Sequence, residues 1–371
     1  MTWVDLGWVA LSIALFTGFI TVMVLALTYL ERKFIGRLQG RLGPTRTGPM
    51  GLLQPIADAL KLLAKEDVTP VSNDRAAFWA APLAVFVPAF VIWVSIPFTR
   101  DIVVRNLDMG LFFIFAVSGV SIVGMLMAGW GSANKYAFLG AARSAAQLIS
   151  YELPLLFCVM GVVMIARSLD LREIVERQTV WYIVLQPLAF IIFLTSGLAE
   201  VGRAPFDIPF AESEVIGGPF VEYSGMHWAM FYLAEYANTF LVATLTTLLF
   251  LGGWRGPAPV GGWGEGVMMA FWFLVKTMAV VLVIFWIRTA VPRLRIDQLM
   301  SLAWKGLIPL SIVNMLLTAV SLFYGWPDWT IAVMSLGVIA ATVYAYQRRR
   351  KSQLPRPATV TVRVQGRRAV S

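Results

Sequence analysis

Long apolar stretches, separated by short polar connections, run along most of this chain and constrain it more than any other feature. A helix needs about 20 apolar residues to cross the hydrocarbon core of a bilayer. Nine stretches qualify: residues 6–30, 76–98, 109–130, 145–166, 180–199, 228–251, 267–287, 302–324 and 329–346. The last is the shortest, and the eighth carries Pro309 and Asn314. Of the 371 residues, 58% are hydrophobic and 14% charged. Soluble domains carry about 25% charged residues, so the bilayer must be the solvent here. The sequence predicts an all-α, polytopic bundle of eight or nine spans. It forms one membrane domain over residues 1–347, with a basic tail, 348–371, expected to be disordered. The segment before the first stretch has no basic residues and the stretch is too long for a signal peptide, so it reads as an uncleaved first span.

Lys and Arg set orientation. Of the 30, 23 fall on one side of the predicted bundle and six on the other, with Lys276 inside a span. This places the N-terminus outside and the first, third, fifth and seventh connections and the tail in the cytoplasm. The net charge of +9 is thereby explained by topology, without nucleic acid as a partner. Cys158 and His227 are the only residues of their kinds. One cysteine cannot close a disulfide within the chain or hold an iron–sulfur cluster, which takes about four thiolates. One histidine cannot give bis-His haem ligation. No metal or redox centre is expected in this chain, so electron transfer would take place on a partner.

The first cytoplasmic connection reads ERKFIGRLQGRLGPTRTGPMGLLQPIADALKLLAKED. Gly43-Pro44 and Gly48-Pro49 mark turns. After them Leu52, Ile56, Leu60 and Leu63 recur at helical spacing, while Gln54, Asp58, Lys61 and Lys65 take other faces. This predicts an amphipathic helix of about 14 residues, too short to span, lying on the membrane surface. It reads either as a lipid anchor or, with the basic cluster Arg32, Lys33, Arg37, Arg41 and Arg46 beside it, as a docking site for an acidic partner or a polar headgroup.

The third cytoplasmic connection, AEVGRAPFDIPFAESEVIGGPFVEY, and the span after it hold Glu200, Asp207, Glu212, Glu214, Glu222 and Glu235. Crowded carboxylates repel, which raises some pKa values and suits them to carry protons. The plainer reading is a solvated acidic surface, but the interleaved Phe206, Pro209, Phe210, Pro219, Phe220 and Tyr223 argue for an ordered loop. Glu200 and Arg203, three apart, are positioned to neutralise each other. Glu152, Glu235 and Lys276 fall inside spans. A charge at mid-membrane costs roughly 2.5–3.5 kcal/mol and normally faces the bundle interior. A structural pair between Lys276 and Glu235 is the simpler alternative. Pro154, two residues after Glu152, interrupts the helix ladder there.

These segments resemble the H subunit of the NADH–quinone oxidoreductases of respiratory complex I, called subunit 1 in mitochondria. The resemblance rests on ERK, R-x-G-P, GLLQP-x-AD-x-x-K and KE in the first connection, and on AQLISYE around Glu152. It continues through E-x-x-R-x-PFD, ESE, EY and AEY in the acidic loop, then WIRTAVPRLRIDQLMSLAWK. It runs from about Glu31 to Pro309. It implies a tunnel through which an isoprenoid quinone enters from the lipid, with Arg32, Gln39, Arg41, Asp58, Lys61 and Phe220 at the chamber. It further implies a polar path through Glu152, Glu200, Arg203, Asp207, Glu212, Glu214, Glu222 and Glu235 toward antiporter-like membrane subunits. Quinone is then a substrate, and the iron–sulfur clusters and flavin sit on soluble partner subunits. The implied setting is a bacterial inner membrane and the implied overall activity proton-translocating NADH–quinone reduction. The sequence departs from the family pattern at Thr45, where Asn is common, at Ile296, where an aromatic is usual, and at Phe210, where the family commonly has Glu.

Three other readings compete. A membrane component of a related energy-converting hydrogenase, or of another quinone or cofactor oxidoreductase, would share these motifs in part. A secondary transporter would also bury Glu and Lys beside broken helices, but the sequence has no evident internal repeat. A membrane scaffold would not need charges at membrane depth.

Overall fold

The computed structural model describes residues 3–209, 212–257 and 263–353. Fourteen α-helices are described, with no strand among these residues. They are α1 (Trp3–Leu38), α2 (Gln54–Ala64), α3 (Arg75–Val91), α4 (Gly110–Gly131), α5 (Lys135–Ala166), α6 (Leu171–Arg177) and α7 (Tyr182–Leu185). The series continues with α8 (Pro187–Val201), α9 (Glu212–Val215), α10 (Gly225–Phe250), α11 (Trp263–Ala290), α12 (Ile296–Leu302), α13 (Ile308–Phe323) and α14 (Trp329–Gln353).

Among the described residues, eight helical stretches are long and apolar enough to cross a membrane: Ile13–Leu38, Arg75–Ser95, Gly110–Gly131, Lys135–Ala166, Gly225–Phe250, Gly264–Ala290, Ile296–Phe323 and Trp329–Arg348. The shortest stretch of the sequence, 329–346, is therefore a full-length helix. The fifth expected span, 180–199, is not one helix. It is divided at Gln186–Pro187 into the four-residue α7 and the 15-residue α8. Proline has no N–H to continue the ladder of α7 and instead starts α8 at its first position. At 1.5 Å per residue α8 reaches only about 22 Å. The eighth stretch is continuous through a π turn, Ala303–Leu307, that precedes Pro309. There the wider turn accommodates the proline's missing donor.

The helix α10 is the hub. Of its apolar window 83% is buried, against 11% for Trp329–Arg348 at the periphery. It packs against α1, α2, α3, α8 and α11. Phe250 at its end and Trp93, Phe78, Phe193 and Phe285 of other helices are fully buried. The outward faces carry exposed Leu15, Phe19, Val22, Phe112, Trp286 and Phe323, as expected of surfaces in contact with lipid. Small residues let helices close in. A Cβ on Gly131 of α4 would sit 2.7 Å from the Phe78 backbone nitrogen of α3.

Caps fix where the helices begin. The Asp74 carboxylate accepts from Ala76 N (3.1 Å) and Ala77 N (3.4 Å) at the start of α3. The Asn134 side chain accepts from Tyr136 N (2.9 Å) at the start of α5. Both satisfy orphan donors of a first turn.

The amphipathic helix of the first connection is α2, shorter than its sequence pattern by a few residues. Pro55 is buried, and Ala59 and Leu62 turn inward toward α1 and α10, whereas Ile56, Leu60 and Leu63 are exposed. The helix α14 continues through Gln353; the rest of the basic tail lies outside the described residues. Phe210 and the side chain of Glu212 also lie outside them.

Candidate functional site

The segment from Gly202 to Ser224 connects α8 to α10, and its described residues are tied down at several points. α8 stops at Gly202, whose φ of 70° closes the helix in the left-handed region. Glycine takes that conformation without the steric cost a side chain would bring. Gln147 of α5 clamps the segment from below: its Nε2 donates to the carbonyls of Ala199 (2.7 Å) and Phe206 (2.9 Å). Leu294 N donates to Pro205 O at 3.1 Å, tying the segment to the connection between α11 and α12. Farther along, Gly218 lies against Gly140 of α5 so closely that a Cβ on Gly140 would be 2.5 Å from the Gly218 Cα. Tyr223 stacks on Phe78 with ring centres 4.2 Å apart and donates its hydroxyl to Phe78 O at 3.1 Å. Burial pushes the Tyr223 phenol well above its ordinary pKa, so it stays a donor.

At the centre stands Arg203, 3% exposed. Its Nη1 lies 3.0 Å from Glu31 Oε2 of α1, and its Nε lies 2.9 Å from Glu235 Oε1 of α10. The guanidinium is 4.2 Å from the centre of the Tyr236 ring. Arg288 of α11 pairs with the other Glu31 oxygen. Two carboxylates thus face two guanidinium groups, and the cluster is close to neutral, which is how charges persist inside an apolar bundle. Burial works against the charge of Arg203, but Glu235 and Tyr236 outweigh it and hold its pKa above the usual guanidinium value.

This corrects two pairings suggested by the sequence. Arg203 does not turn to Glu200: the left-handed Gly202 ends the helix between them, so the i, i+3 relation is lost. Lys276 does not pair with Glu235. Its ammonium donates to the carbonyls of Leu251 (2.8 Å), Gly253 (3.1 Å) and Arg255 (2.6 Å), just past the end of α10. It satisfies carbonyls of the turn that follows the helix and lies 4.9 Å from the centre of the Trp181 ring.

A chamber of about 490 Å³ opens beside the cluster, lined by Arg203, Asp207, Phe220, Tyr232, Glu235 and Arg288 among others. Two smaller cavities lie deeper. One of about 60 Å³ has Glu235, Glu200, Gln147 and Asn238 in its wall; the next, of about 40 Å³, has Glu200, Glu152, Asn238 and Ser118. Glu235 therefore borders the chamber and the first cavity, Glu200 borders both cavities, and Glu152 borders the second. The Glu152 carboxylate points at α4, where a Cβ on Gly119 would be 3.9 Å from its Oε1.

Three other acids of the loop are held by side-chain partners, and Asp207 also lines the chamber. Asp207 pairs with Arg293 (3.1 Å), and the exposed Glu214 pairs with Arg143 at 2.6 Å. Glu222 accepts from Asn134 Nδ2 at 2.7 Å, which links it to the cap of α5.

The basic first connection divides in two. Arg32 pairs with Asp58 at 2.5 Å, and Gln54 Nε2 donates to the other Asp58 oxygen at 3.1 Å. This pair lines a largely apolar cavity of about 210 Å³ between α1, α2 and α10. Tyr232 borders both this cavity and the 490 Å³ chamber. Arg41 Nε donates to Gln39 Oε1 at 2.8 Å on the exposed surface, and Lys61 is exposed on α2. Gln39, Arg41 and Lys61 line neither cavity, and Phe220 lines the larger chamber and the 60 Å³ cavity but not the apolar one.

The sequence pattern passed over Glu31, Arg288, Tyr232 and Tyr236, which complete the cluster. Glu31 and Arg288 fall near helix ends, where a charge reads as interfacial. Their depth comes from the loop that folds over them. Among the described residues no group of three or more His, Cys, Asp and Glu is placed to hold a metal ion.

Fold and cavities together define a multi-pass membrane protein that keeps ionisable side chains in internal spaces of a helical bundle. Residues 11–319 match the family model described as NADH dehydrogenase. The H subunit of the NADH-quinone oxidoreductase of Dehalococcoides mccartyi (strain CBDB1) is 47% identical over 327 residues, covering 88% of this chain and 90% of that protein. The corresponding protein of Geobacillus kaustophilus is 50% identical over 313 residues (84% and 92%). That of Brevibacillus brevis is 47% identical over 315 residues (85% and 92%). The chain belongs to this family, the H subunits of the NADH–quinone oxidoreductases.

Proposed function

We propose that this chain walls a quinone-access chamber in a proton-translocating NADH–quinone oxidoreductase of a bacterial cell membrane and links quinone reduction to proton movement. One observation carries the reading: Glu235 stands at once in the wall of the 490 Å³ chamber and in that of the first internal cavity, with Glu200 and Glu152 next in order.

The apolar cavity between α1, α2 and α10, with its Arg32–Asp58 pair, suits an isoprenoid tail followed by a polar headgroup. A quinone takes two electrons and two protons to become a quinol. The electrons come from iron–sulfur clusters on soluble partner subunits, which the exposed basic residues Arg41 and Lys61 help to dock. The charge change at the headgroup alters the balance of the Arg203–Glu235–Glu31–Arg288 cluster. Glu235 then exchanges a proton toward Glu200 and Glu152, which hand it on to neighbouring membrane subunits. In this orientation the Gly202–Ser224 segment faces the cytoplasm.

Glu200→Gln tests the reading, since it keeps the shape of the side chain and removes its proton. In sealed vesicles with the complex assembled on a native gel, quinone reductase activity and proton pumping are expected to fall together, by about 10²-fold or more, as for a lost acid–base group. Unchanged pumping in the assembled variant overturns it.

A further inference from the structure

The wall between the two small cavities contains a polar residue to which the charge pattern assigns no role. Five residues border both spaces: Ser121, Leu148, Glu200, Val201 and Asn238. Leu148 and Val201 narrow the passage with apolar surface. Asn238 lies on α10 three residues after Glu235, so the two side chains share one helix face with Cβ atoms about 5–6 Å apart. Among the described residues the half-buried Asn238 amide makes no hydrogen bond to protein, and a partly buried amide left unpaired is costly. On α4, the Ser121 hydroxyl donates to Ser118 O (2.6 Å) and the Ser118 hydroxyl to Phe115 O (2.9 Å). Both serine oxygens therefore remain as acceptors toward the cavities. Spaces of about 60 and 40 Å³ exceed the roughly 10–15 Å³ that one water requires.

We propose that Asn238 is a positioning residue that holds water in the first cavity, against this wall, so that a proton released by the Glu235 carboxyl reaches the Glu200 carboxylate. The amide neither gains nor loses a proton. Its NH₂ donates to one water oxygen and its carbonyl accepts from the next, which orients the O–H bonds in single file from the Glu235 side to the Glu200 side. A proton enters at one end of the file, another leaves at the other end, and the Glu200 carboxylate becomes the acid. The assignment rests on the proton-path reading above.

The test compares the complex carrying Asn238→Leu, Asn238→Ser and Glu200→Gln in sealed vesicles, with assembly measured for each. Asn238→Leu matches the volume but offers no hydrogen bond. It is expected to slow coupled quinone reduction and pumping about tenfold, the scale of one lost water-bridged hydrogen bond. It should also raise the H₂O/D₂O rate ratio, which a merely structural defect leaves at the wild-type value. Asn238→Ser, which keeps a donor and an acceptor, is expected to restore most of the rate and the normal isotope ratio. If the leucine variant does not assemble, Asn238→Ala replaces it in the comparison with serine. Wild-type rates in the leucine variant, or equal losses in the apolar and serine variants with an unchanged isotope ratio, overturn the assignment. If Glu200→Gln pumps normally, the proton-path reading itself fails. If Glu200→Gln stops pumping while Asn238→Leu does not, the role of Asn238 alone fails.

Discussion

Arg203 Nη1 lies 3.0 Å from Glu31 Oε2, a contact between residues 172 positions apart that ties the acidic loop to the first helix. With Glu235 at 2.9 Å on its Nε, one guanidinium joins α1, α10 and the loop. Two separate nitrogens of its guanidinium, Nη1 and Nε, thus stand close to two carboxylates, which a single ammonium cannot match.

Removing that guanidinium leaves Glu31 and Glu235 with less compensation in a buried setting. Arg203→Ala is expected to destabilise the protein by about 3–5 kcal/mol, the usual cost of breaking a buried pair by removing one partner. Arg203→Lys should recover only part of that. The check is the amount of assembled complex on native gels together with its melting temperature in detergent. Wild-type values for Arg203→Ala would show that Arg288 alone suffices.

The clamp made by Gln147 should act differently. Its Nε2 holds the carbonyls of Ala199 and Phe206, and both lose that donor in Gln147→Leu. The expected cost is about 1–3 kcal/mol, concentrated locally. Hydrogen exchange should speed up at 199–206 while α4 and α14 stay protected. Uniform exchange across the chain would instead mean a global loss of stability.

The membrane bundle was largely legible from residue types alone, because bilayer thickness dictates run length and each run survives as a helix except one. The exception, 180–199, has its cause in the sequence at Gln186–Pro187, but apolar residues on both sides hide a break that only the backbone ladder reveals. Within the site, Glu152 and Glu235 could be picked out as charges inside apolar spans, and Glu200 as one acid of the crowded connection. Their order along linked cavities could not, since it depends on how α5, α8 and α10 pack. The rest of the Arg203 cluster was illegible for another reason: Glu31 and Arg288 are distant in sequence and sit near helix ends, where a charge needs no partner. Lys276 lies inside a span, as the sequence places it, but it is half-buried and its partners are backbone carbonyls, which carry no sequence signature.

Gly140 gives a steric test of how firmly the loop must be seated. A Cβ there would meet Gly218 Cα at 2.5 Å and Gly218 C at 3.0 Å, and neither backbone atom can swing away as a side-chain end would. Gly140→Ala is therefore expected to shift the Gly217–Phe220 turn and distort the chamber wall that Phe220 helps to form. Since overpacking costs typically 1–3 kcal/mol, the complex should still assemble, with quinone reductase activity reduced mainly through a higher KM for quinone. A normal KM would mean that the turn can move without reshaping the chamber.

Lys276 supplies the opposite expectation. It is a charge at membrane depth by sequence, but its ammonium is committed to three carbonyls after α10 and it lines none of the cavities described above. Lys276→Met removes those donors while keeping the length of the side chain. It should lower the melting temperature of the assembled complex, since each carbonyl left unsatisfied costs on the order of 1 kcal/mol or more. At temperatures well below melting, the ratio of protons pumped to quinone reduced should equal that of the parent complex. A changed ratio in the assembled variant would place Lys276 on the proton path and would require a connection from Leu251 and Gly253 to the cavity holding Glu152.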